Sequence, residues 1–279
     1  MGDLSTVAIQ QFNDSFINQY DANMVLGGGR TTQIIHGALG SSYKWPIQGS
    51  ITMQKRGGYG SLVPLVQPDY ERIITTFDDY AVGVPVDEHE QALLNIDVVG
   101  TLPKKLAMST GRMVDQIIID ALVAASVPAE NSIAAGSTNL TLDKIRAVAA
   151  AFKKNNVPEN DRFLLITGDQ RDSLLSDDKV LNTLYVNNRN LLTGQIDMLL
   201  GFNIICIGDR EEGGLPIDSS SVRTCLAWQK DSMGYVESIA PRTQLDYQSR
   251  SLSHQATADF RSGASNLLPK GVAKIFCAE

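Results

Sequence analysis

The sequence predicts an α+β fold, and three observations carry that reading. Alternating apolar residues between Ser42 and Val86, broken by glycines and prolines, fit an extended β-ribbon. Apolar residues at three- and four-residue steps from Pro103 to Ala125 fit one long helix. The last stretch, residues 223–279, reads as a succession of short strands. The chain has 279 residues, 43% of them hydrophobic, enough to bury the core of one large domain or two modest ones. No period of 20 to 50 residues repeats within it.

The elements follow in order. Val7, Ile9, Phe12, Phe16, Ile17 and Tyr20 fall at helical spacing and predict a short amphipathic arm. Gly27, Gly28 and Gly29 then predict a loose tether, so residues 1 to about 40 do not read as a packed domain. In the ribbon, Tyr43, Trp45, Ile47, Ile51 and Met53 alternate with polar residues. Pro46 cannot donate to a strand ladder and marks an edge or two-stranded ribbon. The return is expected over Arg72–Thr76 and on through Val82–Val86, with the basic, glycine-rich tip Lys55-Arg56-Gly57-Gly58-Tyr59-Gly60 between the two arms. A two-stranded arm is marginal alone, so another chain is expected to supply its missing surface.

Leu106, Met113, Ile117, Ala121 and Leu122 define the long helix, with Pro103 tolerated in a first turn. A second helix is expected after Thr141 as its N-cap, with Asp143 in its first turn and Lys153 and Lys154 in its last, the order that suits the helix dipole. An α/β stretch follows. Phe163–Ile166 reads as a buried strand and Gln170–Leu175 as a helical turn, and Ile196–Leu200 leads through Gly201 into a strand over 203–207. The expected final strands are 224–228, 234–238, 242–247, 254–260 and 271–276.

Composition excludes several classes. A net charge of −7 argues against a sequence-independent grip on nucleic acid, which needs a basic surface. The longest apolar runs fall far below the ~20 residues of a membrane span, and Gly2, Asp3 and Ser5 open the chain without a secretory pattern. A soluble protein is expected. Cys206, Cys225 and Cys277 are odd in number and far apart, which disfavours a disulfide framework or zinc site; Cys206 and Cys225 are expected as buried thiols within strands.

Fragments that look catalytic fail their context. Ser176-Asp177-Asp178-Lys179 has the S-x-x-K spacing, but neither S-D-N nor K-T-G accompanies it. Asp87-Glu88-His89-Glu90 would need a second histidine where Leu93 stands to form a zinc helix. Gly27–Gly29 follows no buried strand and cannot cradle a phosphate. Asn139-Leu140-Thr141 fits a glycosylation sequon, which means little without a secretory route. No catalytic, cofactor or metal residue is therefore assigned, and no enzyme is expected. For Lys55 and Arg56 the plain reading is a solvated turn. The functional one is an electrostatic contact with carboxylates of a neighbour, with Tyr59 as an aromatic anchor. The candidate contact residues between subunits are Phe12, Phe16, Trp45, Lys55, Arg56 and Tyr59.

Particular stretches carry a resemblance. Gln11-Phe12-x-x-x-Phe16-x-x-x-Tyr20, Asp78-Asp79-Tyr80-x-x-Gly83-x-x-Val86-Asp87, Gly111-Arg112-x-x-Asp115 and Gly263-Ala264-x-x-Leu267-x-Pro269-x-Gly271-Val272 stand in sequence order. With the order arm, ribbon, long helix, α/β insert and terminal strands, the chain resembles the major capsid proteins of tailed phages, a fold shared with herpesvirus shells and bacterial encapsulins. The resemblance implies an N-terminal arm (1–41), an extended loop (42–86), a peripheral domain with its spine helix (87–140), an axial domain (141–222) and a peripheral return (223–279). It implies a subunit that assembles with itself as hexamers and pentamers into an icosahedral shell enclosing DNA, without sequence-specific binding. It also implies a virion location after assembly in the bacterial cytoplasm, and as further partners a separate scaffolding protein, a portal and a decoration protein. In some relatives a loop lysine is cross-linked to a neighbour's asparagine. Lys55 has no matching asparagine or glutamate here, so that chemistry is not carried over. The rival readings are an encapsulin-like compartment, a cytosolic α/β hydrolase (for which the α/β stretch lacks a histidine base), and a tail or adhesin protein.

Overall fold

The computed structural model describes residues 23–27, 29–59, 62–87, 98–176 and 198–279. Its strands, in chain order, are β1 (Gln33–His36), β2 (Ser42–Gln48), β3 (Tyr70–Thr76), β4 (Asp78–Asp87), β5 (Ser132–Ile133), β6 (Arg162–Ile166), β7 (Met198–Leu199), β8 (Phe202–Cys206), β9 (Val222–Gln229), β10 (Met233–Gln248), β11 (Ser253–Asn266) and β12 (Val272–Ala278). The helices are α1 (Val98–Ala124), α2 (Leu142–Lys154) and α3 (Gly168–Leu175). This is the expected mixed α+β architecture.

Two sheets form the body, and a separate ribbon leaves it. The first sheet has the order β1-β10-β11-β4, the second β5-β12-β9-β6-β8-β7, and β2 pairs with β3 alone. At 27 residues, α1 is about 40 Å long. Its buried residues Val114, Ile117, Ile118 and Leu122 share one core with Phe163, Leu165, Ile205 and Trp228 of the second sheet and Tyr235 and Phe260 of the first. The helix therefore ties the two sheets together.

The opposite face of the second sheet is covered by α2. Leu142, Ile145, Val148 and Phe152 pack on Leu164, Ile166, Ala227 and Ile275. Successive residues of a strand point to opposite faces. Phe163 and Leu165 accordingly meet α1, while Leu164 and Ile166 meet α2. This two-sided cover is why β6 reads as an unbroken apolar run.

Several expectations are revised. The return run does not lie alongside the outgoing strand over its whole length. β2 pairs with β3 from Ser42↔Thr76 to Gln48↔Tyr70, whereas β4 crosses to β11, from Asp78↔Ser262 to Asp87↔Ser253. The terminal stretch also divides: β9 and β12 join the sheet of β6 and β8, and β10 and β11 form the other. Two of the expected strands, 234–238 and 242–247, are one long strand with bulges between Glu237 and Arg242. The glycine-rich segment is no loose tether, because Leu26, Thr31 and Thr32 are buried and β1 runs parallel to β10. Thr141 stands at the N-cap of α2, but its side chain makes no capping bond; its carbonyl accepts from Lys144 and Ile145.

Cys206 is exposed rather than buried, since it ends β8 beyond the reach of the two-residue β7. Cys225 and Cys277 are buried, and all three thiols are free.

One ion pair sits at the centre of this packing. Asp115 on α1 is fully buried, its carboxylate 2.8 Å from Arg210 Nη1, itself almost fully buried. The same carboxylate accepts the backbone N–H groups of Val25, Leu26 and Gly27 at 2.9, 2.8 and 3.3 Å. One turn earlier, Gly111 lets that backbone pass, since a Cβ there would lie 2.9 Å from Met24 Cβ. Removing one partner of a buried pair leaves the other charged and dry, at about 3–5 kcal/mol. Asp115→Ala is expected to lower stability by that amount in urea unfolding of the subunit. A loss under ~1 kcal/mol would show that the pair is not the tie described.

Candidate functional site

The surface that stands out is the far end of the ribbon. β2 and β3 are closed by Gly49 N–H donating to Asp69 O at 2.8 Å, and beyond that pair the chain makes a long excursion. Its apolar side chains are bare: Met53, Tyr59, Leu62 and Leu65 are all more than 90% exposed. Lys55 and Arg56 are exposed beside them, and they are the only charged residues between Gly49 and Pro68. Exposed apolar strips of this size, without a core among the described residues, commonly mark interaction surfaces in proteins.

The root of the ribbon is the reverse, closely packed. Trp45 is buried with Phe77, Val236 and Leu267. Its indole N–H donates to Thr75 Oγ1 at 2.9 Å, and Tyr43 meets its ring edge-on at 5.2 Å between centroids. At the same root, Gly263 of β11 abuts the strand end; a Cβ there would lie 2.0 Å from Thr76 O, so only glycine fits. Trp45 therefore faces its own chain's interior, while Lys55, Arg56 and Tyr59 share the exposed tip. Phe12 and Phe16 lie outside the described residues, as do Lys179 and the stretch Glu88-His89-Glu90. Among the described residues no cluster of metal-ligating side chains occurs. No described helix is long and apolar enough to cross a membrane.

Buried polar side chains brace the second sheet and the helices packed on it. Lys144 Nζ donates to the carbonyls of Ala135, Thr138 and Phe276 at 2.7, 2.7 and 3.0 Å, and burial holds its pKa below the usual lysine range. Lys274 Nζ donates to Val123 O at 2.6 Å, where α1 has no basic residue in its own last turn. Arg162 donates to Val157 and Pro158 carbonyls and lies over the rings of Phe152 and Phe202 at 5.5 and 5.9 Å. None of these was legible as a site, because each partner is a backbone carbonyl far away in sequence or hidden by the turn. Gly111, Arg112 and Asp115 did stand out in the sequence: Gly111 and Asp115 receive the N-terminal segment, and Asp115 and Arg112, with Gln116 beside them, hold the 210–214 loop. Arg112 Nε donates to Glu212 at 2.8 Å, and Gln116 accepts from Gly214 N–H at 2.8 Å.

A bare apolar loop on a rigid root, carried by a two-sheet body with a long spine helix, defines a subunit of a larger assembly. The chain matches the family model described as phage capsid protein over residues 4–279, and it belongs to that family. It is a structural subunit of a capsid shell. Solved capsids share its fold at low sequence identity. The cyanophage P-SCSP1u capsid matches with a TM-score of 0.79 at 14% identity, covering 99% of this chain and 94% of that one. The capsid of Helicobacter pylori bacteriophage KHP30 matches with a TM-score of 0.77 at 11% identity, covering 100% and 98%. Mycobacterium phage Che8 gives a TM-score of 0.71 at 17% identity, covering 95% and 96%. No curated protein matches the sequence.

The last strand carries a pH-sensitive anchor. Glu279 accepts from Arg223 Nε at 2.5 Å and from Gln170 Nε2 at 2.6 Å, and Arg223 also reaches Asp209 at 2.8 Å. Burial raises the Glu279 pKa, but the bonds from Arg223 and Gln170 outweigh it and hold the carboxyl below its usual value. A group whose folded pKa is depressed stabilises above its unfolded value, ~4.3 for glutamate, and loses that stabilisation as pH falls through the folded value. Below about pH 4.3, the urea midpoint of the native chain is expected to fall more steeply than that of Glu279→Gln. Parallel curves would remove this anchor from the account.

Proposed function

We propose that copies of this chain join as hexamers and pentamers by laying each ribbon tip on a neighbouring copy. The observation that carries this is the tip itself: four large apolar side chains that are almost wholly exposed, with no partner surface among the described residues. Burying one such side chain is worth about 1.5–3 kcal/mol, against at most ~1 kcal/mol for an exposed ion pair. Apolar burial therefore supplies the affinity, and Lys55 and Arg56 set orientation and partner choice. Lys55, Arg56 and Tyr59 are the proposed contacts on the ribbon, with Phe12 and Phe16 on the N-terminal arm. Trp45 serves the contact indirectly, by fixing the root from which the tip projects.

The shell so formed encloses DNA without reading it, which the net charge of −7 favours, since an acidic wall releases packaged nucleic acid. Assembly in the bacterial cytoplasm suits a chain with three free thiols. A scaffolding protein, a portal and a decoration protein complete the proposed set of partners.

Electron microscopy of the purified chain tests the reading directly, and closed particles or ring-shaped capsomers are expected. A chain that stays a monomer at high concentration in every buffer would count against it. The double change Lys55→Glu and Arg56→Glu is expected to leave circular dichroism unchanged while reducing particle yield in sedimentation, with added salt blunting the difference over a screening length of ~8–10 Å. Normal particles with unchanged salt and heat resistance would make the tip a solvated turn. A lost fold would place it in the core.

A further inference from the structure

The core beneath α2 buries two thiols and an ammonium among its apolar side chains. Cys225 of β9 and Cys277 of β12 are both fully buried and belong to that core. Cys225 stands opposite Ile275 of the antiparallel partner strand, and Cys277 lies two residues further along. Both side chains therefore leave the sheet on the face that α2 covers. The Cys225 thiol donates a hydrogen bond to the Cys277 sulfur, so the two sulfurs face each other.

The ammonium is that of Lys144, which is buried in the first turns of α2. Its hydrogens go to the carbonyls of Ala135, Thr138 and Phe276, all of them neutral acceptors. Its charge acts on both thiols. Glu279 and Arg223, the other charged groups beside the pair, are already bonded to each other. A buried cation without a counter-ion is costly, so the site calls for one negative charge.

Diagonal neighbours on antiparallel strands lie roughly 7–8 Å apart. A disulfide does not cross more than about 7 Å without moving the backbone. An interposed metal ion does, since two metal–thiolate bonds of about 2.3 Å each span roughly 4.6 Å between sulfurs. The number of ligands then selects the ion. Among the described residues no three His, Cys, Asp or Glu side chains gather into a group, so the four ligands of a structural zinc are not supplied. A cuprous ion is soft, prefers thiolates and is satisfied by two of them.

We infer that Cys225 and Cys277 form a two-thiolate site for a cuprous ion, with Lys144 as its counter-charge. Binding breaks two S–H bonds and forms two S–Cu bonds; both protons leave to solvent, and no atom changes oxidation state. One monovalent cation and two thiolates leave a single net negative charge, which the Lys144 ammonium balances. A divalent ion in the same place would leave the buried site with an excess positive charge. The bound ion ties β9 to β12 under α2, far from the ribbon tip, so the site is independent of the assembly contact.

The test starts from the full chain carrying Cys206→Ser, which removes the exposed thiol. Under anaerobic conditions it is mixed with cuprous ion held by a coloured chelator, and the colour is followed to a plateau. One copper per chain is expected to transfer, with an X-ray absorption spectrum of two sulfur ligands. Adding Cys225→Ala or Cys277→Ala is expected to abolish the transfer while circular dichroism stays unchanged. Silver ion is expected to displace the copper, and zinc at the same concentration to leave it in place. No transfer, transfer undiminished in both alanine variants, nitrogen or oxygen ligands in the spectrum, or displacement by zinc would each overturn the site. Where an alanine variant loses its fold, the spectrum of the loaded parent chain decides.

Discussion

The structure depends on one buried carboxylate. Asp115 has no exposed surface, and its charge is tolerated because Arg210 and three backbone N–H groups surround it. Through these bonds one side chain fixes the start of the described chain, the middle of the spine helix and the loop after β8. Leu26, Val114, Ile118 and Leu215 beside these bonds are buried in one core, so the polar tie and the apolar packing act on the same elements. Gly111 supports the same arrangement by giving the N-terminal backbone room to lie on the helix.

From that tie the division of labour follows. Because α1 buries one continuous core against both sheets, the main core forms without the ribbon's far end. The ribbon can then spend its apolar residues outside. Its root is secured by Trp45, Phe77 and Leu267, and the change from buried to bare happens within a few residues of Gln48. Without such a root, a loop that carried Met53, Leu62 and Leu65 would be drawn onto its own body and its apolar side chains covered.

Periodicity made the regular elements legible. The long helix, α2, the strand Phe163–Ile166 and the terminal strands could be read because burial on one or two faces imposes a pattern on neighbouring residues. The ribbon's glycine-rich tip was legible for the opposite reason, as a break in that pattern. What escaped was set by distant partners. Nothing local says that β4 leaves the ribbon for β11, because Asp78–Asp87 alternates equally well against either strand. The glycines at 27–29 read as a tether, yet the segment is held by Asp115, some ninety residues away. The meeting of Tyr80, Met113, Glu212 and Phe260 around one hollow was invisible in the same way, since they come together only in three dimensions. Trp45 looked like an anchor for a neighbour because a sequence does not distinguish an aromatic facing out of a ribbon from one facing in.

The missing side chain at Gly263 has a mechanical meaning. It touches the carbonyl of Thr76, at the place where the ribbon is hinged to the first sheet. A strand of seven residues reaches roughly 23 Å, and the loop continues beyond it, so the root is the short arm of a lever and the tip its long arm. An ångström of wedge at residue 263 becomes several ångströms of swing at Tyr59. The direction in which the ribbon leaves its own body is thus gauged by the thickness of a single methyl group.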